Sequence, residues 1–202
     1  MFITFEGGDG AGKTTQIELL KAALEKEGRS VVVTREPGGN AVAEKIRELL
    51  LDRASIMEDM TEAYLYAAAR AEHVRAVILP ALARGQVVLC DRFIDSSVAY
   101  QGYGRQIGAE RVEALNREAV DGCMPERTYL LTLSEQDAAQ RVKNRGEADR
   151  IESAGEAFAR RVQEGFLRIA AEHQERVVVI DAGRPAEEIA RDIAEDVAKL
   201  KT

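Results

Sequence analysis

Short apolar runs rich in β-branched residues alternate along this chain with longer stretches whose apolar positions recur every three or four residues. Residues 1–6, 30–34, 86–91, 127–133 and 176–181 are runs of the first kind and predict five buried strands. Ile17, Leu20 and Leu24 mark a helix over 15–27 that Gly28 stops, and Val42, Ile46, Leu49 and Leu50 mark a second. The alanine-rich stretch 58–83 reads as a longer helix, interrupted near Pro80 and closed by Gly85. Residues 93–106 are polar and carry Gly102 and Gly104, which predicts irregular backbone; a helix over 109–121 follows. Ser134 stands where an N-cap would start a helix to about Lys143, and 144–155, charged and containing two glycines, reads as a loop. Phe158, Val162, Phe166, Ile169 and Ala170 give helical spacing over 156–174, and Pro185 opens a last helix.

Strands separated by helices predict an α/β fold: a five-stranded parallel sheet flanked by helices on both faces. In such sheets ligands bind beyond the carboxyl ends of the strands. That edge gathers residues 6–14, Arg35, Asp91, Arg92 and the loop after Leu133.

One stretch at that edge carries explicit chemistry. Gly7-Gly8-Asp9-Gly10-Ala11-Gly12-Lys13-Thr14 has the form G-x-x-x-x-G-K-T between a strand and a helix. Glycines allow successive N–H groups to converge on an anion, and the helix N-terminus adds positive potential. Lys13 supplies a charge for the outer phosphates, and the Thr14 hydroxyl suits Mg²⁺. Asp91 ends an apolar strand, where P-loop proteins place an acid for the metal's water shell; a plain cap to the next loop is the alternative. Arg35, Arg70 and Arg92 exceed what one triphosphate needs and point to a second phosphate-bearing ligand, unless some of them form surface ion pairs. Arg141, Arg145 and Arg150, spread about a glycine-containing loop, suggest a lid over about 144–155 that brings positive charge onto the reacting phosphates.

Composition narrows the reading little further. A chain of 202 residues, 46% hydrophobic and 31% charged, fits one globular domain spanning 1–202. A net charge of −7 argues against nucleic acid as a partner but allows a small anion held by local arginines. Neither a basic-then-apolar leader nor an apolar run of membrane-spanning length is present, so a cytoplasmic location without membrane association is the expectation. Cys90 and Cys123 form no C-x-x-C pair and have only His73 and His173 beside them, so reduced thiols without zinc are expected.

A series of motifs from Phe2 to about Asp181 resembles the thymidylate kinase family, within the P-loop nucleoside monophosphate kinases. Phe5 to Thr15 is similar to the family's P-loop, and Thr34-Arg35-Glu36-Pro37-Gly38-Gly39 resembles its T-R-E-P-G-G loop. Tyr66-Ala67-Ala68-Ala69-Arg70 matches an aromatic-x-x-x-Arg helix segment. Asp91-Arg92-Phe93 with Ala99-Tyr100-Gln101-Gly102 matches the D-R-aromatic and A-Y-Q-G signature, and Arg145-Gly146 with Asp149-Arg150-Ile151-Glu152 looks like a bacterial-type lid.

The resemblance implies transfer of the ATP γ-phosphoryl to dTMP, giving dTDP for dTTP synthesis, with Mg²⁺ held by Thr14 and Asp91. It implies ATP contacts from Gly7, Gly8, Asp9, Gly10, Ala11, Gly12, Lys13, Thr14, Thr15 and Arg141. For dTMP it implies stacking on Tyr66, where the family usually has phenylalanine, and base contacts from Arg70, Ser97 and Gln101. Tyr100 would lie near the sugar, Asp9 on the 3′-hydroxyl, and Arg35 and Arg92 on the phosphate. Some members carry an arginine in the P-loop; here Gly10 stands there, so the resemblance implies a catalytic cation from the lid, Arg150 first and Arg145 second, beside Lys13 and Arg92. A homodimer is implied as well. A kinase for another nucleoside monophosphate and a P-loop nucleotide-dependent switch are the alternatives.

Overall fold

A computed structural model of the chain describes residues 1–133 and 150–200, apart from the Glu152 side chain. Arg141, Arg145, the helix expected after Ser134 and most of the expected lid therefore lie outside the described residues.

The five predicted strands all form: β1 Phe2–Gly7, β2 Val31–Arg35, β3 Val87–Asp91, β4 Arg127–Thr132 and β5 Val177–Asp181. They pair in parallel in the order β2-β3-β1-β4-β5, which is the P-loop nucleotide-binding fold. Between them run α1 Lys13–Lys26, α2 Ala41–Leu51, α3 Asp59–His73, α4 Leu79–Ala83, α5 Ile94–Ser97, α6 Ala109–Val120, α7 Glu156–Glu172 and α8 Ala186–Lys199.

The period of two along a strand divides the core between the sheet's two faces. Ile3 and Phe5 of β1, with Leu89, Tyr129 and Leu131, bury one face against Leu20 and Leu24 of α1 and Ile189, Ile193 and Val197 of α8. Phe2, Val88 and Cys90 bury the other face against Val74, Ile78 and Phe93. Leu130 joins Val98, Phe158, Val162 and Phe166 on that side. A polar cluster interrupts it: Arg176 donates to Asp95 at 2.6 and 2.9 Å and to the Thr128 hydroxyl, which lies 2.7 Å from that of Thr4. Both groups are nearly excluded from water, so removing either would leave the other an uncompensated buried charge.

The interruption near Pro80 forms as expected, whereas the stretch 93–106 differs from its expectation. The long alanine-rich helix breaks into α3, a π-type turn over Val74–Ile78, and α4, because Pro80 has no N–H for a continuous ladder. Its alanines Ala63, Ala67, Ala69 and Ala81 are buried within this chain. Residues 93–106, expected to be irregular, are mostly helical: α5 runs into a wide π-type segment over Val98–Gly104. The glycines there serve packing, not a loop. A Cβ at Gly104 would lie 2.6 Å from the Phe158 ring, and one at Gly102 would lie 3.1 Å from Cα of Ala109. No described helix is long and apolar enough to cross a membrane.

Gly7 is where sheet geometry meets the phosphate loop. Its φ is +128°, and a Cβ there would lie 2.2 Å from the Leu131 carbonyl oxygen on β4. Gly7→Ala is therefore expected to lower unfolding free energy by about 3 kcal/mol or more, combining backbone strain with a clash against a strand. Chemical denaturation checks this, with a change under about 1 kcal/mol counting against it.

Candidate active site

The carboxyl ends of β1, β2 and β3 open onto one cleft. Asp9, Gly10, Gly12, Lys13 and Thr14 line it from the glycine loop, Arg35, Glu36 and Pro37 from the end of β2, and Asp91 and Arg92 from the end of β3. Tyr66 and Arg70 of α3 and Ser96, Ser97, Tyr100 and Gln101 close its far side. Gly7, Gly8, Ala11 and Thr15 shape the loop or its helix without lining the cleft.

Gly10 and Gly12 have φ of +79° and +91°, in the left-handed region, and Gly12 is the residue from which α1 departs. The loop thus has the backbone shape for anion capture at a helix start. Lys13 is almost fully buried, with Nζ donating to the carbonyls of Gly7 (3.2 Å) and Gly8 (3.1 Å) and lying 4.0 Å from Asp91. Burial, then the neighbouring Arg92 charge, lowers its pKa from 10.5 to about 8, against the pull of Asp91, Asp9 and Glu6.

The Thr14 hydroxyl reaches Asp91 Oδ2 at 3.5 Å. The other carboxylate oxygen, Oδ1, is buried without a hydrogen-bond partner among the described residues. A hydroxyl and a carboxylate with an unsatisfied oxygen, side by side at the phosphate loop, form a hard oxygen donor set that fits Mg²⁺.

Arg92 breaks out of β3 with φ +67°, a conformation costly for a non-glycine residue. The turn is held by hydrogen bonds. Its own N–H donates to the Phe5 carbonyl, and the next N–H, of Phe93, donates to Glu6 Oε1 at 2.7 Å. The guanidinium donates to the Gly7 carbonyl (3.0 Å), the Ser96 hydroxyl (3.2 Å) and Asp9 (2.9 Å), and lies 5.2 Å from the centre of the Tyr100 ring. Burial works against its charge, but Tyr100, Asp9, Asp91 and Glu6 outweigh that and hold the pKa well above the ordinary arginine value. Burial pushes the Tyr100 phenol up to about 12.

Glu6 lies under this turn, fully enclosed, and accepts from Phe93 N–H and, at 2.5 Å, from Ser96. Burial and the Asp95 charge raise its pKa to about 7, although the Ser96 hydrogen bond, Arg92 and the Phe93 N–H pull the other way.

Arg70 is 2% exposed and heavily engaged. Nε donates to Glu36 at 2.7 Å, Nη1 to the Ser97 hydroxyl at 2.9 Å and to Asn116, and Nη2 to the Phe93 carbonyl. The second Glu36 oxygen lies 2.9 Å from His73 Nδ1, and His73 Nε2 lies 2.7 Å from the Thr34 hydroxyl. Gln101 Nε2 donates to Glu62 at 3.0 Å. Arg35 instead forms an exposed pair with Glu44, which contributes little to stability. Arg150 is folded onto α2 and α3, donating to the Leu50 carbonyl and lying 2.7 Å from Glu62; it does not line the cleft.

Glu6, Glu36, Glu62, Arg47 and Ser96 also belong to this site or its support and were not singled out from the sequence. Glu36 stands inside the T-R-E-P-G-G loop, and its place next to Arg35 is the signal the sequence offers for it. Nothing local marks Glu6 or Glu62, whose partners lie tens of residues away.

Comparison with known proteins follows the same lines. The thymidylate kinase family model matches residues 5–193. Thymidylate kinase of Exiguobacterium sibiricum is 48% identical, covering 97% of this chain and 93% of the relative. That of Pelotomaculum thermopropionicum is 50% identical, covering 95% and 90%. The crystal structure of thymidylate kinase from Ehrlichia chaffeensis superposes with a TM-score of 0.79 at 34% identity, covering 98% of each chain. Matched by the family model over residues 5–193 and by relatives over nearly its whole length, the chain belongs to the thymidylate kinase family.

Proposed function

We infer that the cleft brings ATP and dTMP together, the chain phosphorylating dTMP to dTDP as its family does. The observation that carries the division of labour is the position of Arg92, whose guanidinium touches both the phosphate loop at Gly7 and Asp9 and the far wall at Ser96 and Tyr100. A group bridging two walls is suited to the phosphate that crosses between them. ATP lies on the loop from Gly7 to Thr15, with Lys13 on its outer phosphates. The acceptor phosphate takes Arg92 and Arg35, each exchanging a carboxylate partner, Asp9 or Glu44, for a phosphate. Asp9, released, meets the 3′-hydroxyl. The base stacks on Tyr66, edged by Arg70, Ser97 and Gln101, with Tyr100 beside the sugar.

Thr14 and Asp91 would hold Mg²⁺, which when bound neutralises charge on the donor phosphates. The acceptor is already an anion, so no strong general base is needed. The protein's part is to align two polyanions and neutralise the charge between them, with water kept out. Arg150 and Arg145 are the cations assigned to a lid over about 144–155. For Arg150 this means leaving Glu62 when phosphate is bound. Arg141 is assigned to the adenine side, and one domain, working as a homodimer in the cytoplasm, completes the reading. The match to thymidylate kinases over most of the chain, with arginines in the cleft beyond those one triphosphate needs, favours a kinase over a nucleotide switch.

Lys13→Ala and Arg92→Ala are each expected to cut dTDP formation by about two orders of magnitude or more while leaving the circular dichroism spectrum unchanged. Chromatographic assay of dTDP against ADP release, over a panel of monophosphate acceptors, checks this; near-normal turnover of either variant, or ATP hydrolysis indifferent to dTMP, contradicts it.

The lowered Lys13 pKa adds a pH signature. Lysine must be charged to hold triphosphate, so kcat/KM for ATP is expected to fall about tenfold between pH 7 and pH 9 as the free site deprotonates near 8. Bound phosphate restores the proton, so kcat stays flat to higher pH. The unfolded chain holds this proton up to about 10.5, so between about pH 8 and 10.5 the folded state binds fewer protons and Lys13 makes stability rise with pH. Steady-state kinetics across that range test it, and a kcat/KM flat to pH 9 contradicts it.

A further inference from the structure

Glu62 is 1% exposed, on the face of α3 that also carries Arg70, and beyond its resting contact with Arg150 it has no part in the reaction described so far. Its carboxylate collects partners from two parts of the chain, the segment 101–105 and Arg150. Arg105 donates at 3.1 and 3.0 Å, Gln101 Nε2 donates at 3.0 Å, and Arg150 Nη2 lies 2.7 Å away. Burial alone would raise its pKa, but the hydrogen bonds from Arg105 and Gln101 and the charges of Arg105 and Arg150 hold it below the ordinary glutamate value. Glu62 is thus an ionised carboxylate, and an ionised carboxylate accepts hydrogen bonds and donates none.

That fixes which end of the Gln101 amide faces it. Only the NH₂ group can meet a carboxylate, so the carbonyl oxygen Oε1 is the end that Gln101 has to offer the cleft it lines. Oε1 takes no partner among the described residues. Its neighbours are of opposite polarity. The Ser97 hydroxyl already accepts from Arg70, which leaves its hydrogen to donate. Four of the five Arg70 N–H groups go to Glu36, Ser97, Asn116 and Phe93, leaving one on Nη2. The Gln101 oxygen is therefore an acceptor set among donors.

Thymine attached to a sugar has a single N–H, at N3, between two carbonyls. An acceptor in the base pocket can be satisfied only by that group. Cytosine carries a lone pair at N3, which would face the Gln101 oxygen unfavourably. We propose that Glu62 is a specificity-determining positioning residue: by gripping the NH₂ group of Gln101, it makes the pocket read a pyrimidine N3–H. The inference rests on the base lying against Gln101, as assigned above, and goes beyond it in naming what gives that side chain its polarity. Released from Glu62, the amide could turn over and meet cytosine as readily as thymine.

The test compares dissociation constants for dTMP and dCMP by titration calorimetry in the full chain. In Glu62→Gln the preference for dTMP over dCMP is expected to fall about tenfold, since rejection by a buried polar group of fixed polarity is lost. Affinity for a non-hydrolysable ATP analogue should stay within about twofold, which a general loss of structure would not allow. Glu62→Asp keeps the charge for Arg105 and Arg150 but withdraws it from Gln101 by one methylene; it should shift the preference the same way and serves if the glutamine variant does not fold. Gln101→Met should lower the preference to a similar level. If Gln101→Met lowers it while both Glu62 variants keep it within about twofold of the wild type, the role of Glu62 is overturned and the base placement stands. If Gln101→Met itself leaves the preference unchanged, the base does not lie against Gln101 and both readings fall.

Discussion

The active cleft depends on one turn, at Arg92. The chain leaves β3 there in a left-handed conformation that a non-glycine residue adopts only when its surroundings hold it. Glu6, buried at the end of β1, supplies part of that hold by accepting from the N–H of Phe93 and the hydroxyl of Ser96. The turn swings the Arg92 guanidinium back across the sheet onto the glycine loop. Two neighbouring strands are thereby joined at the place where two phosphates must meet. Glu6 itself carries a cost, because its pKa is raised to about 7 and the folded state holds its proton more tightly than the unfolded chain. Its contribution to stability is present below about pH 4.5 and is lost as pH rises to about 7. A carboxylate kept under such conditions is consistent with work done on the turn above it.

The same pattern recurs around the cleft. Four arginines in or beside the cleft are held by acids: Arg92 by Asp9, Arg70 by Glu36, Arg35 by Glu44 and, outside the lining, Arg150 by Glu62. The pairs differ in burial, and that difference separates their functions. Arg70 and Glu36 are both almost inaccessible, and exchanging that carboxylate for a ligand would leave a bare buried charge, so Arg70 acts as a fixed wall. Arg35 and Glu44 are exposed, and their exchange for phosphate costs little. Arg92 lies between these extremes, firmly placed yet with an exchangeable partner, as suits a group that must both wait for and bind a phosphate.

Much of this was legible in the sequence because it is local. The glycine loop needs its glycines at fixed offsets, and β-branched runs announce buried parallel strands, so the sheet, its ligand edge and Lys13, Thr14, Asp91 and Arg92 could be read residue by residue. The segment 93–106 could not. Gly102 and Gly104 have the composition of a loop, and only the approach of α7 and α6 reveals that they are small because another element lies against them. The buried acids were hidden for a related reason. Glu6 and Glu62 look like surface residues until partners 87 and 39 residues away come into place. Arg150 shows what motif reasoning leaves open: the sequence points to a lid cation but not to where it rests, which in this structure is on Glu62 and Leu50.

The central claim is that Arg92 links the loop that binds ATP to the acceptor phosphate, with the base on the Tyr66 side. A crystal structure of the protein with dTMP, Mg²⁺ and a non-hydrolysable ATP analogue tests it most directly. The account predicts the dTMP phosphate within hydrogen-bond distance of the Arg92 guanidinium, Asp9 turned to the sugar, and the thymine ring stacked on Tyr66. An Arg92 still paired only with Asp9, with the acceptor phosphate bound elsewhere in the cleft, would contradict it.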